Sequence, residues 1–179
     1  MTEQQPYEVL ARHEGFELRR YPSHVVAEVE VAGSFESAGT TGFRPLVGYI
    51  SRGGVAMTAP VLQQARDEVD DVTAASTFQV SFVMPADANA SSLPVPGDSR
   101  VVLREVPEQT AAAARFSGRW SAGSFRRQAV ALQEAVEAAG WRQDGPLRWA
   151  RFDPPWTPWF LRRNEVVLPV RQATEPERS

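Results

Sequence analysis

One order of elements runs through this chain twice, and a sequence built that way has few folds open to it. Ala32-Gly33-Ser34-Phe35 and Ser117-Gly118-Arg119-Trp120 stand 118 − 33 = 85 residues apart, and Pro85 and Pro169, each read as ending a strand, stand 169 − 85 = 84 apart. Between these marks each half reads as strands, a helix and strands again. In the first half, Val9, Phe16, Leu18, Val25, Val26, Val29 and Val31 lie around the turn candidates Glu14-Gly15 and Tyr21-Pro22-Ser23, which predicts two extended segments between Tyr7 and Val31. Phe35, Ala38, Phe43, Leu46, Val47 and Ile50 fall on helical spacing from Ser34 to Ile50, against the low propensity of Gly39, Thr40, Thr41, Gly42 and Pro45. Met57 to Leu62 and Phe78 to Met84 read as strands, with an exposed loop from Arg66 to Ser76 between them.

The second half is read as a β segment from Arg100 to Phe116, a helix from Ser124 to Ala139, and β segments at Leu147 to Phe152 and Glu165 to Val170. Its helix carries the clearest pattern in the chain, with Phe125, Ala129, Leu132, Val136 and Ala139 on one stripe and Gly140 as its stop. The Pro-, Ser- and Gly-rich stretch from Ala86 to Asp98 reads as the connector. Neither half can bury its helical stripe alone. The expected fold is therefore α+β: two ββαββ-like repeats, about 7–85 and 100–170, joined in a distorted antiparallel barrel-like sheet with two main helices. A single domain over 1–179 is expected, with an apolar groove between helix and sheet as the place for a ligand.

Composition removes several chemistries. The chain has no cysteine, which excludes disulfides, thiolate zinc sites, iron–sulfur clusters and thiolate-ligated heme. All 19 basic residues are arginine, so Schiff-base lysine chemistry and a P-loop lysine are excluded as well. Those arginines are scattered and the net charge is −3, so nucleic acid is not an expected partner. The Met1 to Tyr7 segment lacks the apolar stretch of a signal peptide, and no run is long enough to span a membrane, so a soluble, cytoplasmic monomer is expected. No Gly-x-Ser-x-Gly elbow, His-Glu-x-x-His helix or Gly-x-Gly-x-x-Gly phrase occurs, which leaves catalysis little support.

Several phrases carry a family resemblance. They are Tyr7-Glu8-Val9, Phe16-Glu17-Leu18-Arg19-Arg20-Tyr21-Pro22, Gly42-Phe43 through Leu46, Tyr49-Ile50 and Met57-Thr58-Ala59-Pro60-Val61 in the first half. Pro94-Val95-Pro96-Gly97-Asp98, Phe116-Ser117-Gly118, Phe152-Asp153-Pro154-Pro155-Trp156 and Arg162-Arg163-Asn164-Glu165-Val166 follow in the second. From about Tyr7 to Val170 the chain resembles the SOUL heme-binding family. The resemblance implies a fold akin to the gyrase-inhibitor-like effector-binding domains, and heme or another tetrapyrrole as ligand. It also implies, for some members, an iron-ligating histidine just before the tyrosine of the Arg-x-Tyr phrase, a position held here by Arg20.

A tetrapyrrole site needs apolar walls and a cation for the propionates. Phe43, Val47, Met57, Trp156, Trp159 and Phe160 are the candidate walls, with Leu46 and Ile50 read rather as core. Arg44, Arg52, Arg162 and Arg163 are the candidates for a propionate, because a guanidinium offers a carboxylate two parallel donors, and Arg44 comes first because it lies on the same helix as the proposed wall. Arg163 with Asn164 and Glu165 also reads as a strand-end hydrogen-bond network. His24 is a weak candidate for iron and His13 a weaker one; Tyr21 and Met57 are chemically able to ligate but have ordinary core readings. Two alternatives accompany heme: an effector-binding or small hydrolase domain for another hydrophobic molecule, using Glu165 or Glu105, and an interaction protein using the loop from Trp156 to Phe160.

Overall fold

The computed structural model describes residues 2–174; Met1 and 175–179, the ends of the expected 1–179 domain, lie outside them. The chain opens with β1 (Glu3–Gln4), β2 (Glu8–His13), β3 (Phe16–Tyr21) and β4 (His24–Ala32), followed by helix α1 (Phe35–Gly53). Strands β5 (Thr58–Ala59), β6 (Val61–Ala65) and β7 (Thr77–Val83) complete the first half. After the connector come β8 (Val102–Val106), β9 (Gln109–Phe116), α2 (Ala122–Ala138), β10 (Trp141–Gln143), β11 (Arg148–Arg151) and β12 (Asn164–Gln172). Pro169 does not end its strand as expected: it sits inside β12 opposite Ala111, and the strand continues to Gln172.

The main sheet is antiparallel and runs β2-β3-β9-β12-β11-β6-β7-β4-β8, with β10 attached to β12. It ends at β2 and β8 and does not close. From β3 to β8 the path reads alike in both directions. In the β3–β9 pairing Glu17 lies opposite Ala113, and in the β4–β8 pairing Val102 lies opposite Glu28, so 102 − 17 = 113 − 28 = 85. Strand β3 thus pairs with β9 and β8 with β4, each crossing to the other half, and β6 meets β11 at the centre.

Both helices cover one face. Phe35 meets Trp149 edge-on at 4.9 Å and packs on Phe78 and Phe125, joining both helices to the sheet centre. Phe125, Ala129, Leu132 and Val136 are all buried, as the spacing requires. Ser34 and Ser37 form a capping box that starts α1, and Gly54, with φ of 64°, ends it with its N–H on the Ile50 carbonyl. The poor helix formers within α1 have a packing reason. A Cβ on Gly42 would lie 2.7 Å from Val80 Cβ, and one on Gly39 would collide with the Arg151 guanidinium, so only glycine lets the helix lie this close to the sheet. Among the described residues no helix is long and apolar enough to cross a membrane.

Candidate functional site

Three places collect chemistry. The first is a groove of about 790 Å³ along the solvent side of α1, closed on its other flank by the connector. Thr41, Arg44, Gly48 and Arg52 follow one another at intervals of three and four, so they share a helical face, and all four line the groove with Tyr49, Pro94 and Asp98. Pro45, also in the lining, has no N–H to give the Thr41 carbonyl. Tyr49 pins the far wall by donating its hydroxyl to the Pro94 carbonyl at 2.8 Å. Arg44 and Arg52 make no hydrogen bond or ion pair among the described residues. Arg100 holds the Asp98 carboxyl down at about 2, with a smaller contribution from Arg52. The groove is therefore cationic, with two guanidinium groups available to a ligand.

Of the seven residues expected to bind ligand, only Arg44 lines this groove. Phe43 lies on the next strip of α1 against Phe82, with ring centroids 5.3 Å apart, Val47 packs on the core, and Met57 follows the helix end. Trp156, Trp159 and Phe160 stand on the β11–β12 connection. They are exposed by 84%, 48% and 58%, a second apolar surface on which Arg119 lies 5.5 Å over the Trp159 ring. Arg162 is committed to that loop: it donates to the Pro155 and Thr157 carbonyls and stacks 4.6 Å over Trp120. The helical spacing of Thr41, Gly48 and Arg52 around Arg44 was a readable signal. The connector wall was not, because nothing in a Pro-rich loop states which helix it lies against.

The third place is the face of the sheet that no helix covers. Small residues at Ala111, Ala113 and Ala150 leave room there, and polar side chains are buried without a helix above them. Glu165 is 1% exposed and Arg19 3%; Arg19 gives two hydrogen bonds to the Glu165 carboxylate, at 2.8 and 3.1 Å, and a third to the Tyr21 hydroxyl. Arg163 adds a further one to Glu165 at 2.8 Å and lies 3.9 Å over Phe152. Burial, the largest single influence, lowers the Arg19 pKa, but hydrogen bonds and charge interactions with Glu165 and Tyr21 together outweigh it and raise it. Glu165 is thus fully engaged in a structural cluster, and Glu105 is exposed on the edge strand β8.

Histidine 24 lies on this same face, not in the α1 groove. Its Nδ1–H donates to the Pro22 carbonyl at 2.8 Å, which leaves Nε2 to accept from the Gln5 amide at 3.2 Å. Burial lowers its pKa, the Pro22 carbonyl opposes this, and Arg148 and Arg104 add to the lowering. The unfolded chain takes up this proton near pH 6.5 and the folded chain only below it. The neutral imidazole's contribution to stability is present above pH 6.5 and declines as pH falls. The urea midpoint is expected to drop between pH 7 and 5.5, and to drop less in His24→Gln; equal slopes would refute this. His13 stacks on Phe16 with centroids 4.7 Å apart, and Arg20 donates to Glu8 across the β2–β3 pair. Among the described residues no group of acidic and imidazole side chains could hold a metal ion.

A family model described as SOUL heme-binding protein matches residues 2–169. The chain belongs to the SOUL heme-binding family. No curated protein matches this SOUL protein. Among solved structures, the EcmrR C-terminal domain aligns with a TM-score of 0.70 at 16% identity, over 93% of this chain and 98% of that one. EcmrR in a complex with DNA aligns at 0.68 and 17%, over 87% of this chain and 56% of that one. A hydrolase from Listeria innocua aligns at 0.60 and 14%, over 90% and 94%. At these identities the likeness is one of fold, and it places this SOUL protein in the same α+β architecture.

Proposed function

We propose that the chain binds heme or a related tetrapyrrole along the exposed face of α1, for carriage or buffering. The observation that carries this reading is the cationic groove, where Arg44 and Arg52 project from one helical face about 12 Å apart along the axis. Two propionates need two such cations, and Gly48 between them presents no side chain to a flat ring. Phe43 and Val47 on the adjoining strip and Met57 beyond the helix end are the proposed apolar walls here, and Trp156, Trp159 and Phe160 on the β11–β12 connection are a separate proposed ligand contact. Neither histidine lines the groove, so apolar contact and propionate pairing hold the ligand without imidazole ligation.

Titration with hemin tests this through the Soret band and tryptophan quenching. Micromolar binding is expected, weakened at least tenfold in the Arg44→Glu/Arg52→Glu double variant and unchanged in His24→Ala. Unaltered affinity in the double variant, with loss in Trp159→Ala, would move the site to the aromatic loop. A second reading rests on that loop's exposure: it is a contact surface for a protein partner, and Trp159→Ala then abolishes capture while hemin binding persists. The effector-binding or hydrolase alternative has the shared fold as its support, and turnover lost in a Glu165→Gln variant that circular dichroism shows to be folded would favour it.

A further inference from the structure

We propose that the uncovered face of the sheet holds a second ligand site, for a small organic monocarboxylate with an apolar body, anchored by Arg148. An open cavity of about 1210 Å³ lies on this face, across the strands from the α1 groove. Arg148 projects into it from β11, near the β6–β11 pairing at the centre of the sheet. Arg148 is 9% exposed, yet among the described residues it has no carboxylate partner. One of its five N–H donors reaches Gln109 Oε1 at 2.8 Å, and the group lies 5.5 Å from the Tyr21 ring centroid.

Every other charge around the cavity is matched. Arg104 grips Glu28 with two bonds of 3.0 Å, Arg171 lies 3.8 Å from Asp144, Arg66 3.3 Å from Glu30, and Glu108 3.9 Å from Arg20. Arg148 is the cation left over. A buried guanidinium without an anion is costly, so a carboxylate arriving there recovers the desolvation already incurred. Burial pulls its pKa down, which Tyr21 opposes and Arg104 reinforces, in keeping with a site of positive potential.

The walls define the rest of the ligand. Val26, Leu62, Val106 and Pro146 give an apolar lining, while Gln64, Gln79 and Ser81 offer polar atoms on one side. A single unmatched cation balances a monoanion, whereas a phosphate dianion would be left half-neutralised. This site is independent of the proposed tetrapyrrole groove, which lies on the helix side of the sheet.

The probes are 2-naphthoate, its neutral isostere 2-naphthamide, and inorganic phosphate, measured by calorimetry and by thermal shift on the unmodified chain. Naphthoate is expected to bind at least tenfold tighter than the amide and to raise the melting temperature, with phosphate weaker than naphthoate. Arg148→Gln should bring naphthoate down to the amide's affinity, and Arg148→Lys should restore part of the difference. Equal binding of acid and amide to the unmodified chain overturns the proposal without any variant. Retention of the preference in folded Arg148→Gln overturns it as well, as does tighter binding of phosphate than of naphthoate.

Discussion

Glu165→Ala is expected to destabilise the protein by about 3–5 kcal/mol, a large share of the roughly 5–15 kcal/mol that holds an ordinary domain folded. The carboxylate is 1% exposed and receives two hydrogen bonds from Arg19 and one from Arg163. Its removal leaves the Arg19 guanidinium, 3% exposed, with the half-exposed Glu17 as its one remaining carboxylate. The loss is therefore a stranded buried charge, far more than one bond. Glu165→Gln keeps the shape and should fall between the two, since it can accept from one guanidinium but does not neutralise it. Urea denaturation of both variants measures this, with Glu17→Ala as the comparison at below about 1 kcal/mol. A Glu165→Ala loss as small as that of Glu17→Ala would show that the cluster is not what fixes β3 and β12 across β9.

The second large effect separates two glycines of α1 that look alike in sequence. Gly42→Ala is expected to destabilise by about 1–3 kcal/mol, because its Cβ would sit 2.7 Å from Val80 Cβ and 2.8 Å from Val80 Cγ2, atoms of a stiff branched side chain on a central strand. The helix must then lift from the sheet. Gly48→Ala meets nothing within 4 Å and should stabilise by about 0.5–1 kcal/mol through helix propensity. Thermal melts of the two variants should shift in opposite directions. A shift of Gly42→Ala upward would mean that α1 does not lie as close to β7 as the structure has it.

Much of the fold was legible because period and burial agree. The α2 stripe predicts a helix and all of its first four members are buried. In α1 the same agreement was blurred: Gly39 and Gly42 lower propensity in order to let two backbones approach, and the sequence shows the cost without showing the contact. The Arg100 to Phe116 segment divides at Pro107-Glu108 into β8, paired with β4, and β9, paired with β3 and β12, a break that a continuous apolar reading passes over.

The uncovered face was the least legible part. Polar residues that alternate with apolar ones, such as Arg19, Glu28, Gln79 and Ser81, read as a solvated strand face, yet here they are buried. One clue was available in β11. Arg148 and Arg151 are three apart in a strand, so they point to opposite faces, and one arginine had to go under the helices. Arg151 does so, 5.2 Å from the Trp120 ring, where burial pushes its pKa down to about 10. The Arg19–Glu165 cluster joins residues 146 apart, and no local pattern announces such a partner.

The crossed pairing of the two halves has a consequence for synthesis. Strand β3 leaves the ribosome early but acquires its second neighbour only when β9 is made, and β6 waits in the same way for β11. Until then each carries an unpaired edge into a crowded environment. The nascent chain must keep those edges apart until β9 and β11 have been made, and the sheet can be completed only once β12 follows them.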